Sequence, residues 1–259
     1  MSSQAIRVLL HGADGRMGRR LLALAPEHPR LQLVALAARQ RPAAAAGLAA
    51  LDADSLALAP PFDVAIDFSL PPAVPGIVAL CRQRGAALVS GTTGLDAAAD
   101  AALEAAADGI PVLWSSNFSL GVAVLQRLAA EAARLLADWD CEIVESHHRD
   151  KRDAPSGTAL SLGAAVAAGR RQPFAWTDRI GEGAARTPGS IGIASLRGGD
   201  VVGEHCLVLH GAGERVELAH RAGHRDIFAR GALRAAQWLA GRAPGRYRLD
   251  QLLGAESAI

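Results

Sequence analysis

Ile6-Arg7-Val8-Leu9-Leu10-His11-Gly12-Ala13-Asp14-Gly15-Arg16-Met17-Gly18 is the stretch on which the architecture turns. An aliphatic run stops at a glycine, and Leu21, Leu22 and Leu24 then follow in a helical pattern ahead of Pro26. Strand, glycine turn and helix in that order open a βαβ unit. Such a turn needs residues without a Cβ, so that backbone N–H groups at the helix N-terminus can approach a pyrophosphate. The spacing of Gly12, Gly15 and Gly18 differs from the commoner Gly-x-Gly-x-x-Gly, and a tight turn without a ligand is the plainer alternative. The candidate cofactor contacts here are Gly12, Ala13, Asp14, Gly15, Arg16 and Met17. Asp14 is expected to point outward, because an inward carboxylate would repel phosphate; Arg16 can face it.

Outward from this motif, strand-like runs at 31–36, 63–68, 87–89 and 110–114 alternate with helical patterns at about 74–84 and 96–107. That alternation predicts a parallel sheet with covered faces. An alanine-rich, poorly patterned stretch at 42–60 interrupts it. The character changes after Asn117. A long helix at about 120–136 leads to a strand at 141–145, and beyond Gly169 short strands at 191–196, 205–209 and 216–220 are punctuated by glycine. The expected fold class is α/β, a Rossmann-type parallel-sheet domain over 1–118 followed by a smaller α+β domain with a mixed or antiparallel sheet. A helical period at 227–239 could cap either domain.

Composition fits this reading. The 259 residues can bury one large core or two modest ones, and half are hydrophobic with only 4% aromatic, so helices layered on a sheet suit them better than an aromatic-rich sandwich. A net charge of +1 provides no global field for nucleic acid or an anionic membrane. Cys81, Cys141 and Cys206 are dispersed with no Cys-x-x-Cys pair, which reads as free thiols in a reducing compartment. Met1 to Gln4 lead straight into the first strand without a basic-then-apolar leader, and no apolar run is long enough to span a membrane. A soluble cytoplasmic protein with no membrane partner is expected.

At the end of the second strand, an acidic residue would grip the ribose hydroxyls of NAD. Ala37-Ala38-Arg39-Gln40-Arg41 stands there instead. Two guanidiniums could meet the 2′-phosphate of NADP, which predicts NADPH preferred over NADH; two solvated arginines are the alternative. Gly91-Thr92-Thr93-Gly94 ends the fourth strand, and Ser115-Ser116-Asn117-Phe118 follows the fifth. Both fall at the carboxyl edge of the sheet, where open α/β sheets bind ligands, so Gly91, Thr92, Thr93, Ser115, Ser116, Asn117 and Phe118 are further candidate cofactor contacts.

The densest chemistry is Glu145-Ser146-His147-His148-Arg149-Asp150-Lys151-Arg152-Asp153-Ala154-Pro155-Ser156-Gly157-Thr158-Ala159-Leu160. Five groups able to be cationic fall within six residues, directly after a strand. Ser156 is placed as a helix N-cap, and the N–H groups near Gly157 and Thr158, with the Thr158 hydroxyl, make an anion cradle of carboxylate size. His147 and Lys151 are the candidate proton donors, and partial desolvation among neighbouring cations would ease delivery from Lys151. The whole reads as a site for a small dianion; the alternative is a charged surface loop capped into a helix.

The run from His147 to Ala159 resembles the signature of the 4-hydroxy-tetrahydrodipicolinate reductase family, also called dihydrodipicolinate reductase. The resemblance extends to the Gly12 loop, Gly91-Thr92-Thr93-Gly94, Asn117-Phe118-Ser119, Arg197-Gly198-Gly199-Asp200-Val201-Val202-Gly203-Glu204-His205 and residues 225–239. It implies an enzyme that reduces 4-hydroxy-tetrahydrodipicolinate to tetrahydrodipicolinate with NAD(P)H and loss of water, in diaminopimelate and lysine biosynthesis. It implies proton donation or exchange at His147, a proton donor at Lys151, substrate binding at His148, and a carboxylate held by Gly157 and Thr158. It implies that residues 227–259 complete the first domain, and that 119–226 form a substrate-binding and oligomerisation domain of a homotetramer. The family often carries an acid where this chain has Ala38, and its loss strengthens the NADPH reading.

Two other readings compete. One is another two-domain amino-acid or semialdehyde dehydrogenase, which has no reason to carry the 147–158 run. The other is a non-catalytic NADP(H) sensor with a redundant charged loop, which Lys151→Met would separate from a reductase. A metal hydrolase using His147, His148, His220 and His224 is disfavoured, since the last two end a strand-like run rather than share a helical face, and no metal is expected. Glu204-His205 reads as assembly or packing. His11, His28 and His210 show no partner pattern.

Overall fold

The computed structural model describes residues 5–42, 47–178 and 185–254. Met1 to Gln4, residues 43–46 of the alanine-rich stretch, and the last five residues of the expected 227–259 segment lie outside the described residues. The chain divides into two compact units, Met1–Phe118 with Asp226–Ile259, and Ser119–Arg225.

The first unit contains β1 (Ile6–His11), α1 (Arg16–Leu24), β2 (Leu31–Ala37), β3 (Ala49–Leu51), β4 (Val64–Asp67), α2 (Val74–Arg84), β5 (Ala87–Ser90), α3 (Ala97–Ala106) and β6 (Pro111–Trp114). α6 (Asp226–Leu239) and β12 (Gly245–Tyr247) return to it from the C-terminal end. The sheet runs β12-β6-β5-β4-β1-β2-β3, and every pairing in it is parallel. Apart from β12, this is the doubly wound order 3-2-1-4-5-6, whose direction reverses between β1 and β4, beside the glycine turn. The strands are apolar on both faces, as a sheet covered on both sides requires. Leu9, Ala65, Leu88 and Val112 pack with Ile77 and Val78 of α2 and Leu103 of α3. α6 lies against β4, β5 and β6, and pairs with α1. Arg20 donates to Asp226 with both guanidinium contacts at 2.6 Å, and Arg230 pairs with Glu27. Alanine at 229, 232, 235 and 236 lets α6 sit close, with Leu233 and Leu239 filling the interior; a fully buried leucine contributes about 2 kcal/mol.

The second unit contains α4 (Leu120–Leu135), β7 (Asp140–His147), α5 (Gly157–Gly169), β8 (Trp176–Thr177), β9 (Ile191–Arg197), β10 (Glu204–His210) and β11 (Arg215–Arg221). Its sheet runs β11-β10-β7-β9-β8 and is mixed: β10 is antiparallel to both neighbours, while β7, β9 and β8 are parallel. Alternate residues of β7 (Cys141, Ile143, Glu145, His147) are buried, as period-two geometry dictates. Cys141 and Ile143 join Leu125 and Ala129 of α4, and Leu162 and Val166 of α5, in one core.

Three short strands escape the sequence pattern. β3, β8 and β12 lie at sheet edges and are two or three residues long. Ala49-Ala50-Leu51 has weak strand propensity and is extended because it pairs with Ala35, Leu36 and Ala37 of β2.

Candidate functional site

In the first unit the glycine turn is built as a close approach. Gly12 has φ +83°, and a Cβ there would stand 2.4 Å from the Phe68 carbonyl oxygen; no other residue fits without moving that backbone. Gly15 is the N-cap of α1, which has no side-chain cap and no acid in its first turn. The first N–H groups of the helix therefore keep their affinity for an anion. Ala13 is buried in the turn, Asp14 and Arg16 are exposed, and Met17 is half-buried.

Behind the turn lies a polar network that the sequence reading did not anticipate. Asp67, at the end of β4, is completely buried. Its Oδ1 lies 2.8 Å from His11 Nδ1, and its Oδ2 accepts from Ser90 Oγ at 2.7 Å and Thr92 Oγ1 at 2.8 Å. Burial alone would raise this carboxyl; the bonds from His11, Ser69 and Ser90 hold it below the usual carboxylate range. Asp67 thus fastens together the ends of β1, β4 and β5. His11, expected to have no partner, is one of its donors.

The remaining candidates of this unit gather at the carboxyl edge of the sheet, after β5 and β6. Thr92 is buried, with its hydroxyl on Asp67 and its carbonyl accepting from Trp114 Nε1 at 2.9 Å. Thr93 is exposed and Gly91 half-buried. Ser115 Oγ donates to the Asn117 carbonyl at 2.6 Å, Ser116 is exposed, and Phe118 is buried against Phe68 with ring centroids 5.4 Å apart. Arg39 is exposed just past β2 and forms no ion pair among the described residues, whereas Arg41 Nε lies 3.5 Å from Asp52.

In the second unit, His147 is the last residue of β7, not part of the loop that follows. Its Nδ1 lies 2.5 Å from Glu145 Oε2. Arg197, the register partner of His147 on β9, donates to both Glu145 oxygens at 3.0 and 2.7 Å. The Ser156 N–H donates to Glu145 Oε1 at 3.1 Å. Burial would raise the Glu145 carboxyl, but Arg197, Ser195 and His147 bring it down to about 2. Burial lowers His147, outweighing the opposite pull of Glu145. The ring is therefore neutral near pH 7.

Ser156 caps α5, its Oγ accepting from the Ala159 N–H at 3.2 Å, and it also meets His205 Nε2 at 3.1 Å. Gly157 and Thr158 open the helix, exposed and half-buried respectively. His148 is half-buried one residue past β7. The loop between is held to the turn after β9 by Gly198 N–H to the His147 carbonyl and Arg149 N–H to the Gly199 carbonyl. Lys151 Nζ donates to Asp153 Oδ1 at 2.9 Å, so its nearest charge is an anion rather than the cations that surround it in sequence. His205 packs edge-on to His147 with centroids 5.2 Å apart, and is part of this cluster rather than of a bare assembly surface.

Glu145, Arg197 and His205 are what the sequence reading missed. Glu145 carried a usable signal, since residues two apart on a strand share a face. Arg197 and His205 arrive by strand register alone. Glu145, His147 and His205 each bring one ligand atom within 4.8 Å of the others, a grouping able to surround a cation; among the described residues it is the only such set, and it excludes His148, His220 and His224.

Residues 6–118 match the family described as dihydrodipicolinate reductase, N-terminus, and residues 121–253 match its C-terminus. The chain belongs to the dihydrodipicolinate reductase family. It is 54% identical over 256 residues to the 4-hydroxy-tetrahydrodipicolinate reductase of Stenotrophomonas maltophilia (strain R551-3), covering 98% of this chain and all of that protein. Identity to the protein of the same name from Xanthomonas axonopodis pv. citri is 51% over 255 residues, again 98% of this chain and all of the other. The dipicolinate-bound dihydrodipicolinate reductase of Paenisporosarcina sp. TG-14 shares the fold with a TM-score of 0.80 at 24% identity, over 96% of this chain and 100% of that one. The family is one of NAD(P)H-dependent oxidoreductases with a Rossmann-type fold. Among the described residues no helix is long and apolar enough to cross a membrane.

Proposed function

We propose that this chain reduces 4-hydroxy-tetrahydrodipicolinate to tetrahydrodipicolinate, with loss of water, in diaminopimelate and lysine biosynthesis. The observation that carries this reading is the joining, through one buried carboxylate, of a neutral imidazole and the N-cap residue of a helix whose N-terminus suits a carboxylate.

Gly157 and Thr158, at the positive end of α5, hold one carboxylate of the substrate, and His148 binds elsewhere on it. Lys151 donates the proton that accompanies reduction, and His147 exchanges protons. A small dicarboxylate suits such a cradle, and the Paenisporosarcina protein is described as dipicolinate-bound.

The β1–α1 turn fits a dinucleotide, because α1 starts with no side-chain cap and no acid in its first turn, which leaves its first N–H groups for a pyrophosphate. Gly12, Ala13, Asp14, Gly15, Arg16 and Met17 would hold the pyrophosphate by backbone and, at Arg16, by charge. Gly91, Thr92, Thr93, Ser115, Ser116, Asn117 and Phe118 would hold the nicotinamide half, with Thr92 and Phe118 acting by backbone since their side chains are engaged within the unit. Bound there, NAD(P)H supplies the hydride. NADPH is preferred over NADH, because Arg39 projects from the end of β2 with no acid beside it.

The assembly is a homotetramer formed through the second sheet, whose face away from α4 and α5 carries exposed Val144 and Leu196. The three free thiols suit the cytoplasm.

The test is NADPH oxidation with substrate supplied by a dihydrodipicolinate synthase. Turnover is expected, and its absence would overturn the assignment. Lys151→Met should lower kcat by about 10²- to 10⁴-fold with NADPH affinity kept.

A further inference from the structure

We infer that Glu145 is the positioning residue of this site: it holds His147 in the tautomer that leaves Nε2 as the proton-exchanging nitrogen, and ties that ring to the start of the carboxylate cradle. The inference rests on the reductase reading above and names a residue that reading leaves without a part.

Glu145 is completely buried and receives donors on both oxygens, with the Ser195 hydroxyl also bonded to it. His147 Nδ1 (2.5 Å) and Arg197 Nη1 (3.0 Å) meet Oε2; Arg197 Nη2 (2.7 Å) and the Ser156 N–H (3.1 Å) meet Oε1. With its lone pairs so occupied, the carboxylate touches no substrate, so its part is indirect. A carboxylate beside a permanently charged guanidinium only accepts, and the proton between Glu145 and His147 therefore sits on Nδ1. Arg197 already balances the Glu145 charge, so the pair does not require His147 to be a cation. The other titratable groups around the ring are Arg197 from β9, His205 from β10 and Lys151 from the loop, and none of them offers His147 a second anion.

The neutral ring then carries its lone pair on Nε2. Space at that atom is kept by Gly203, where a Cβ would stand 3.0 Å from Nε2. Nε2 accepts a proton, the imidazolium formed is stabilised by Glu145 through Nδ1–H, and the proton is handed back from Nε2. No net charge is left behind. The same carboxylate grips the Ser156 N–H, so the proton-exchanging ring and the first turn of α5 move as one body.

The ¹⁵N spectrum of the histidine side chains in the full-length protein tests this without any reaction. In the wild type, His147 should be neutral and protonated at Nδ1. In Glu145→Gln, whose amide can donate as well as accept, the Nδ1–H preference should be lost and kcat should fall by about 10²-fold or more. Gly203→Ala should lower kcat while the tautomer stays as in wild type. A wild-type ring protonated at Nε2 would overturn the proposal, and so would Glu145→Gln with unchanged tautomer and kcat. Should Glu145→Gln fail to fold, the wild-type spectrum and Gly203→Ala decide. Wild-type protein that shows the expected tautomer but turns over no substrate would count against the reductase reading alone.

Discussion

His205 Nε2 and Ser156 Oγ lie 3.1 Å apart, which fastens β10 to the first turn of α5. Ser156 Oγ also accepts from the Ala159 N–H, so one hydroxyl serves both the helix cap and the imidazole. Burial in this position, with His147 close by, pushes His205 down to about 4, and it is neutral in the folded protein.

Ser156→Ala removes both the helix cap and the hydrogen-bond partner of His205. Loss of a cap costs about 1 kcal/mol, so Tm should fall by a few degrees. The KM for the dicarboxylate should rise severalfold because the cradle frays, while the NADPH dissociation constant stays unchanged. Thermal unfolding and cofactor titration report the two effects separately, and an unaltered KM would remove Ser156 from the cradle.

Acid should weaken the fold in two steps. The unfolded chain protonates His205 near 6.5, but the folded chain does so only near 4, so stability is lost as pH falls through that window. Glu145 is an anion down to about 2 when folded against 4.5 for the free group, so its contribution is full above 4.5 and disappears as pH falls towards 2. Urea midpoints followed from pH 7 to 3 should therefore decline. His205→Asn should flatten the part between 6.5 and 4, and identical slopes in variant and wild type would refute the first step.

Asp67 is a buried anion whose partners converge from three elements. Asp67→Ala strands His11, Ser90 and Thr92 without their acceptor, and removal of one side of such a buried pair costs about 3 kcal/mol or more. Chemical denaturation should show that loss, together with weaker NADPH binding as the loop after β5 is released. Undiminished cofactor affinity would mean that the network supports the fold only.

Arg39→Glu reverses a charge proposed to favour a 2′-phosphate. A charge-assisted bond contributes about 1.5–3 kcal/mol, so kcat/KM for NADPH should fall by roughly ten- to a hundredfold while NADH is affected little. Parallel steady-state kinetics with both cofactors would show it, and an equal loss with NADH would place the 2′-phosphate elsewhere.

Much of this molecule is legible along the chain because its information is local. The alternation of apolar runs with helical periods announces a covered parallel sheet, and the residues from Ile6 to Gly18 form strand, turn and helix where their pattern says. The 147–158 segment reads as chemistry because its charges, its cap and its proton donors are neighbours in sequence. β3 and β12 are not legible in that way, since short edge strands are formed by their partners rather than by their own composition.

The sequence by itself determined the class of fold and the family, and pointed to His147 and Lys151 as the candidate reacting groups. Only the tertiary structure decided which side chains surround them. Glu145 gains its partner Arg197 across 52 positions of chain, and Ser156 its partner His205 across 49. The first pairing follows from the register of β7 with β9, and the second from the packing of the α5 N-terminus against β10, long-range quantities that no window of sequence contains. The same holds for Asp67, whose acceptor oxygens are filled from the ends of two other strands, β1 and β5. Hydrogen-bond partners of a buried carboxylate are chosen by packing, because only packing removes the water that would otherwise satisfy it.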